Sequence, residues 1–151
     1  MPEERVVKAA EVSVFAHATE DEEKVKRAVK NLASFETTFE TTKLSGHYDD
    51  PITLLNLKIS KKKEATDFFE AIYAKLSSLD KRTIFDNLSN HVDEHGSFYL
   101  RIDKQKAYNG RVVLQENDSI RIKFKFQFPF KADPVTTIKE YFLNLEDEEV
   151  Q

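Results

Sequence analysis

The sequence contains no cysteine, which excludes disulfides, cysteine nucleophiles and thiolate metal sites. Only three glycines occur in 151 residues, and they do not form a glycine-rich phosphate loop. No apolar run approaches the roughly 20 residues that a membrane-spanning helix needs, and the first five residues lack the basic-then-apolar order of a secretory signal. A chain of this length can bury a sizeable core without cross-links. We therefore expect one cytoplasmic domain.

Sequence patterns typical of catalytic sites are also missing. There is no Gly-x-Ser-x-Gly segment, and no spacing pairs a serine or threonine with one of the four histidines. Without an assembled set of catalytic groups, we predict that the protein is not an enzyme and has no cofactor.

Two segments resemble metal sites, but each has a simpler explanation. His91-Val92-Asp93-Glu94-His95 matches the inverted zincin pattern, which requires both histidines on one helical face. Gly96 follows at once, which indicates a polar loop instead of a helix. The acidic residues 20–23 could bind magnesium, but acids in a first helical turn also complement the helix dipole. We predict no metal site at either place.

The most informative pattern is a strict alternation of apolar and polar residues over 119–128. Successive side chains of a strand face opposite sides, so this segment predicts a long central strand with one buried and one cationic face. The outward residues include Arg121, Lys123 and Lys125. Residues 97–103 repeat the pattern, with Tyr99 and Arg101 facing outward. A regular basic surface with an aromatic ring is suited to a nucleic-acid backbone.

Positive charge is concentrated in this part of the chain. Residues 97–131 hold eight bases and three acids, a net charge of +5. The whole chain carries −4, so the remaining residues carry −9. A segregated basic patch indicates one binding face. The alternative is that lysine and arginine simply solvate the sheet and protect it from aggregation.

Polar residues that suit RNA recognition also crowd between the two cationic strands. Arginine can grip phosphates, glutamine can reach a 2′-hydroxyl, and tyrosine can stack on a base. Together with the strand positions, the predicted RNA-binding residues are Tyr99, Arg101, Lys104, Gln105, Lys106, Tyr108, Arg111, Arg121, Lys123 and Lys125.

The rest of the chain predicts strands and helices in separate clusters. Further strands are expected at 7–17, 35–44, 52–59 and 111–115, with 35–44 and 52–59 forming a hairpin around the loop 45–51. Thr19 and Glu22 are typical of a capping box, followed by the helical stripe Val25, Ala28, Val29 and Leu32. A long helix is expected over 61–79, a shorter one after an Asp80 cap, and a weak one over 135–145.

These elements predict an α+β fold with one antiparallel sheet of about five or six strands and helices on one face. The domain is expected over residues 1–145, followed by a disordered acidic tail at 146–151. The main hypothesis is RNA binding across the open sheet face. The alternative is a protein-interaction module whose acidic helix and tail bind a basic partner.

Four segments occur in a familiar order: HATEDEEKV at 17–25, LSGHY at 44–48, YLRIDKQKAYNG at 99–110 and DSIRIK at 118–123. They resemble a family of small archaeal proteins described as predicted RNA-binding and exosome-associated, and the similarity covers residues 12–126. The resemblance implies a fold like that of the 5S-RNA-binding ribosomal protein. It also implies structured or double-stranded RNA and RNA-processing proteins as partners.

Overall fold

The computed structural model describes residues 7–32, 38–46, 50–129 and 131–150. It is an α+β fold with one five-stranded antiparallel sheet, in which the strands lie in the order β2-β3-β1-β5-β4. The strands are β1 (Val7–Ala16), β2 (Glu40–Ser45), β3 (Pro51–Ile59), β4 (Ser97–Ile102) and β5 (Ile120–Phe126). The helices are α1 (Glu22–Lys30), α2 (Lys62–Lys75), α3 (Ser78–Asp86), α4 (Lys104–Tyr108) and α5 (Pro134–Val150).

The alternation over 119–128 produces the strand that it predicts. In β5, Ile120, Ile122 and Phe124 are completely buried, while Arg121 and Lys125 are exposed. β5 lies between β1 and β4, so the cationic strand is an interior strand of the sheet. The β2–β3 hairpin is also confirmed, although Phe35 and residues 47–49 of the predicted strand and loop lie outside the described residues.

All the long helices pack on one face of the sheet around a cluster of aromatic rings. Phe69 of α2 is the centre of this cluster, at 4.9 Å from Phe124 of β5 and 5.7 Å from Phe142 of α5, measured between ring centroids. Lys75 at the end of α2 donates to the Asn31 carbonyl at the end of α1, which places these two helices side by side. The opposite face of the sheet is left open.

Three helix boundaries differ from the sequence prediction because other residues supply the caps. Asp21, not Thr19, accepts a hydrogen bond from the Glu23 amide and caps α1. The helix expected over 61–79 ends at Lys75, because Ser77 caps α3 by accepting from the amide of Asp80. Leu79 therefore points away from the core and is 74% exposed.

The segment between β4 and β5 also differs from the prediction. Residues 104–108 form helix α4 instead of a loop, with Asp103 as the cap that accepts from the Lys106 amide. The strand expected over 111–115 is reduced to a single bridge between Leu114 and Ile102. The side chain of Asp103 accounts for the helix, because a side chain that accepts a backbone amide offers the chain an alternative to strand pairing.

Helix α5 continues to Val150, into the segment 146–151 for which we predicted an acidic tail. Tyr73 donates a hydrogen bond to Glu146, which joins this part of α5 to α2. The division into a domain and a tail stays a prediction. None of the described helices combines the length and the apolar character that a membrane-spanning helix requires.

Candidate nucleic-acid interface

The open face is defined here as the sheet face opposite the helices. Register places Arg101 of β4 directly beside Arg121 of β5, and Tyr99 beside Lys123. On the other side of β5, Ser13 and Glu11 of β1 lie next to Arg121 and Lys123. Neighbouring strands lie about 4.8 Å apart, and alternate residues of one strand are about 6.8 Å apart. The open face therefore presents a regular array of cations over β4 and β5.

The Arg101–Arg121 pair lacks compensation within the protein. Like charges directly opposite each other on one sheet face are destabilising. Among the residues that the structure describes, neither arginine has a carboxylate within 4.0 Å. Lys123 and Lys125 also have no carboxylate within 4.0 Å among the described residues. This arrangement leaves the four cations available to bind an external anion.

Tyr99 has a different geometry from the one that base stacking requires. Its hydroxyl donates to Asp93 Oδ2 at 2.9 Å, and the guanidinium of Arg121 lies 4.8 Å from the ring centroid. One face of the ring is thus occupied by Arg121. Tyr99 holds Arg121 in place, so the structure favours a positioning role for this ring over direct stacking on a base.

Asp93 anchors this arrangement from the turn before β4. Burial alone would raise the pKa of Asp93. Hydrogen bonds from the amides of Ser97 and His95 and from the Tyr99 hydroxyl outweigh it and lower the pKa. The carboxylate is therefore charged at neutral pH. It fixes the Tyr99 ring, which in turn fixes the guanidinium of Arg121.

The inverted zincin pattern lies in this same turn and lacks the helical context that zinc chemistry needs. The 3-10 turn Leu88–Asn90 ends before His91, and the histidines are separated by a tight turn. His91 Nδ1 donates to the Tyr99 carbonyl at 3.0 Å, while His95 is exposed and adjacent to Glu94. The segment pairs with β4 as part of the sheet edge.

Lys104, which we predicted to bind RNA, is instead an internal cation. Its side chain is only 9% exposed. The ammonium lies 2.9 Å from the Phe15 carbonyl, 3.0 Å from Glu20 Oε1 and 2.9 Å from Asp118 Oδ1. An ammonium has three donors, and all three have partners here. Lys104 is therefore unavailable for phosphate and is removed from the proposed interface.

The acceptors around Lys104 include the side chains that could group around a metal. Ligand atoms of His17, Glu20 and Asp118 lie within 4.8 Å of one another. The ammonium of Lys104 already occupies the position that a cation would take between the two carboxylates. His17 Nε2 also donates to Asp118 Oδ1, at 2.9 Å. This cluster joins the end of β1 to the residues that precede β5.

The pKa of Asp118 provides a test of this cluster. Burial would raise it, but hydrogen bonds and charge from Lys104 and His17 lower it below its usual 3.8. A lowered folded-state pKa stabilises the protein above the unfolded pKa, and the stabilisation disappears as the pH falls through the folded pKa.

We expect Asp118→Asn to be less stable than the parent at pH 7. The difference should shrink below pH 3.8, as measured by urea unfolding at both pH values. An unchanged difference would contradict this assignment.

The remaining predicted residues around α4 divide into two groups. Gln105 and Tyr108 line a cavity of about 410 Å³ that α4 shares with α1. The structure therefore does not bring them together with the cations of the open face. Lys106 and Arg111 are exposed, and neither forms an ion pair with any residue that the structure describes. Their contact with RNA stays a prediction.

Phe15 is an open-face residue that the sequence analysis missed. It lies two residues beyond Ser13 on β1, is 44% exposed and makes no ring contact among the described residues. The signal was present, because Val12, Val14 and Ala16 alternate with outward-facing neighbours. Its ring is more exposed than that of Tyr99, which makes Phe15 a further candidate to stack on a base.

Comparison with known proteins gives a consistent result over nearly the whole chain. A family model described as RNA binding matches residues 9–126. An RNA-binding protein of Pyrococcus abyssi is 35% identical over 144 residues, which cover 90% of this chain and 93% of the relative. A crystal structure of a DUF54 protein from Archaeoglobus fulgidus has a TM-score of 0.77 at 31% identity. It covers 92% of this chain and 99% of that one. Another, from Sulfolobus solfataricus, has a TM-score of 0.76 at 28% identity, with coverage of 93% and 98%.

Proposed function

Because the chain belongs to the RNA-binding family whose model matches residues 9–126, we propose that it is a non-catalytic protein that binds RNA across the open face. The observation that carries this proposal is the Arg101–Arg121 pair. Two exposed guanidinium groups lie side by side on the edge strand β4 and its neighbour β5, without a carboxylate partner among the described residues. A phosphate between them would remove the repulsion and accept hydrogen bonds from both.

The other open-face cations extend this site along β5. Lys123 and Lys125 follow Arg121 at every second residue, so a phosphate backbone that runs along the strand meets a cation at each outward position. Phosphate contacts of this kind give affinity and register without reading sequence. Phe15 supplies a stacking surface at one end, and Lys106 and Arg111 extend the basic surface beyond β4.

The resemblance noted from the sequence suggests structured RNA and a link to RNA-processing or degradation proteins, including the exosome. These are parts of the proposal, and the cytoplasmic location expected from the N-terminal sequence is a further part of it. Double-stranded RNA would be recognised by shape and by its phosphates and 2′-hydroxyls, for which a broad basic sheet is suitable. The alternative hypothesis, a protein-interaction module, required the acidic C-terminal segment to bind a basic partner. Glu146 is engaged with Tyr73 and lies 3.9 Å from Lys81, so this part of α5 packs on the protein itself.

The proposal is tested by the salt dependence of RNA binding. Each neutralised phosphate contributes about −0.7 to −0.9 to the slope of log K against log salt. Four open-face cations predict a total slope of about −3 for a hairpin RNA, measured by fluorescence anisotropy between roughly 50 and 200 mM potassium chloride. A single-stranded RNA of equal length is the comparison. A slope near zero, or no binding to either RNA, would exclude the open face as an RNA site and favour the interaction module.

A further inference from the structure

A cleft of about 660 Å³ lies at the outer edge of β4, beside the open-face cations. Two segments pair with this edge. The Tyr99 amide donates to the His91 carbonyl at 2.8 Å, and the Gln115 amide donates to the Arg101 carbonyl at 3.0 Å. Residues of both segments line the cleft, together with the open-face side chains Tyr99, Arg101 and Arg121. The cleft is therefore continuous with the proposed RNA site.

The cationic side of the cleft suits a phosphate group. Arg101 and Arg121 both line it, and Tyr99 holds the guanidinium of Arg121 through the ring contact described above. Glu116 also lines the cleft, but it forms no ion pair with either arginine in the described structure. Two adjacent guanidinium groups can grip one phosphate through several charge-assisted hydrogen bonds.

The other wall carries neutral groups that both donate and accept hydrogen bonds. Gln115 Oε1 accepts from the Glu116 amide at 3.1 Å, which leaves the side-chain NH2 group of Gln115 available. Asn117 is exposed and has no hydrogen-bond partner among the described residues. His91 donates through Nδ1 to a carbonyl, so a neutral ring has Nε2 left as an acceptor. Such groups can read the edge of a base or a ribose hydroxyl.

We propose that this cleft binds one unpaired nucleotide of the RNA held on the open face. Its phosphate would lie between Arg101 and Arg121, and its base and ribose against the side chains of Gln115 and Asn117. The volume is within the range of about 300–1,000 Å³ typical of small-ligand sites. A base inside a duplex cannot enter such a cleft, because only loops, bulges and ends present unstacked bases. The inference rests on the proposed function and adds a preference for RNA with an unpaired position.

The experiment compares two RNA duplexes that differ only by one bulged nucleotide. We expect the parent to bind the bulged duplex about tenfold more tightly than the fully paired one, since only the bulge presents an unstacked base to the cleft. The double variant Gln115→Ala/Asn117→Ala should bind both duplexes equally, at the affinity of the parent for the paired duplex. Its net charge, and so its salt slope, should be unchanged. Asn144→Ala, an exposed amide on α5, is the matched control and should retain the discrimination.

The outcomes separate this inference from the proposed function. If the parent binds both duplexes equally, the RNA-binding face stands and the nucleotide site does not. If the double variant still prefers the bulged duplex, the unpaired nucleotide binds elsewhere and the cleft is excluded. If the parent binds neither duplex, both proposals are overturned. Changes in the amide resonances of Arg101 and Gln115 on addition of adenosine monophosphate would support the cleft directly, and no change at high ligand concentration would count against it.

Discussion

Replacing Arg121, Lys123 and Lys125 with alanine will weaken RNA binding about 100-fold at roughly 0.1 M salt, with little effect on folding. The affinity estimate follows from counterion release. Each phosphate contact contributes about 0.7–0.9 to log K at roughly 0.1 M salt relative to 1 M salt, so the loss of three contacts lowers log K by about 2–3. The slope of log K against log salt should fall by about 2–3. Exposed charges contribute only about 0–1 kcal/mol each to stability, and the variant also removes the repulsion between Arg101 and Arg121.

The matched control is Arg27→Ala/Lys62→Ala/Lys63→Ala. It removes one arginine and two lysines, all of them exposed residues of α1 and α2 on the helical side of the sheet. Both variants lower the net charge equally, so a general electrostatic effect would weaken binding in both. Anisotropy titrations with the same hairpin RNA distinguish them. If the open-face variant binds RNA as the parent does, the cations of β5 only solvate the sheet, and the interaction module becomes the leading hypothesis.

The second large effect is expected in the core, at Phe69. Its ring lies within 6.3 Å of six other rings, measured between centroids: Tyr73, Phe98, Phe124, Phe126, Tyr141 and Phe142. These residues come from α2, β4, β5 and α5, so Phe69 joins the sheet to the helices. Phe69→Ala should lower the free energy of unfolding by about 3–5 kcal/mol, through lost transfer energy and the cavity that remains. Typical domains have only about 5–15 kcal/mol in total.

The measurement is urea unfolding followed by far-UV circular dichroism, since the chain has no tryptophan to report on packing. Phe15→Ala is the matched control, because it makes the same change on the open face of the sheet, where the ring is 44% exposed. It should lower stability by only about 1 kcal/mol, because roughly half of the side chain is already exposed. It should weaken RNA binding by about 1–3 kcal/mol if a base stacks there. Equal losses of stability in the two variants would show that Phe69 is not the centre of the core.

Where local geometry dictates the pattern, the sequence predicted the structure well. The apolar residues of β5 and the stripe of α1 lie in the core, because strand and helix periodicity follow from backbone geometry alone. The β2–β3 hairpin followed from two nearby β-branched segments. Helix ends were predicted less well, since Asp21 and Ser77 compete with Thr19 and Asp80 as caps. When one short segment contains several residues that can cap a helix, tertiary packing decides which of them does so.

Helix α4 shows why short elements are difficult to predict. Five residues cannot form a stable helix alone, because nucleation is costly and few hydrogen bonds repay it. The Asn31 side chain donates to the carbonyls of Ala107 and Tyr108, which lie 76 and 77 residues further along the chain. The contact with α1 that stabilises α4 therefore has no trace in the local sequence.

The sequence by itself determined that β5 has a buried and a cationic side, and that the positive charge is concentrated near it. Only the tertiary structure decided which cations are free. In the sequence, Lys104 and Arg101 both count as one positive charge near β5. In the structure, Lys104 contacts acceptors at positions 15, 20 and 118, while Arg101 lies beside another arginine. A charge is available for RNA only if no carboxylate lies close to it. That distance is set by the pairing of strands remote in sequence, and not by local periodicity.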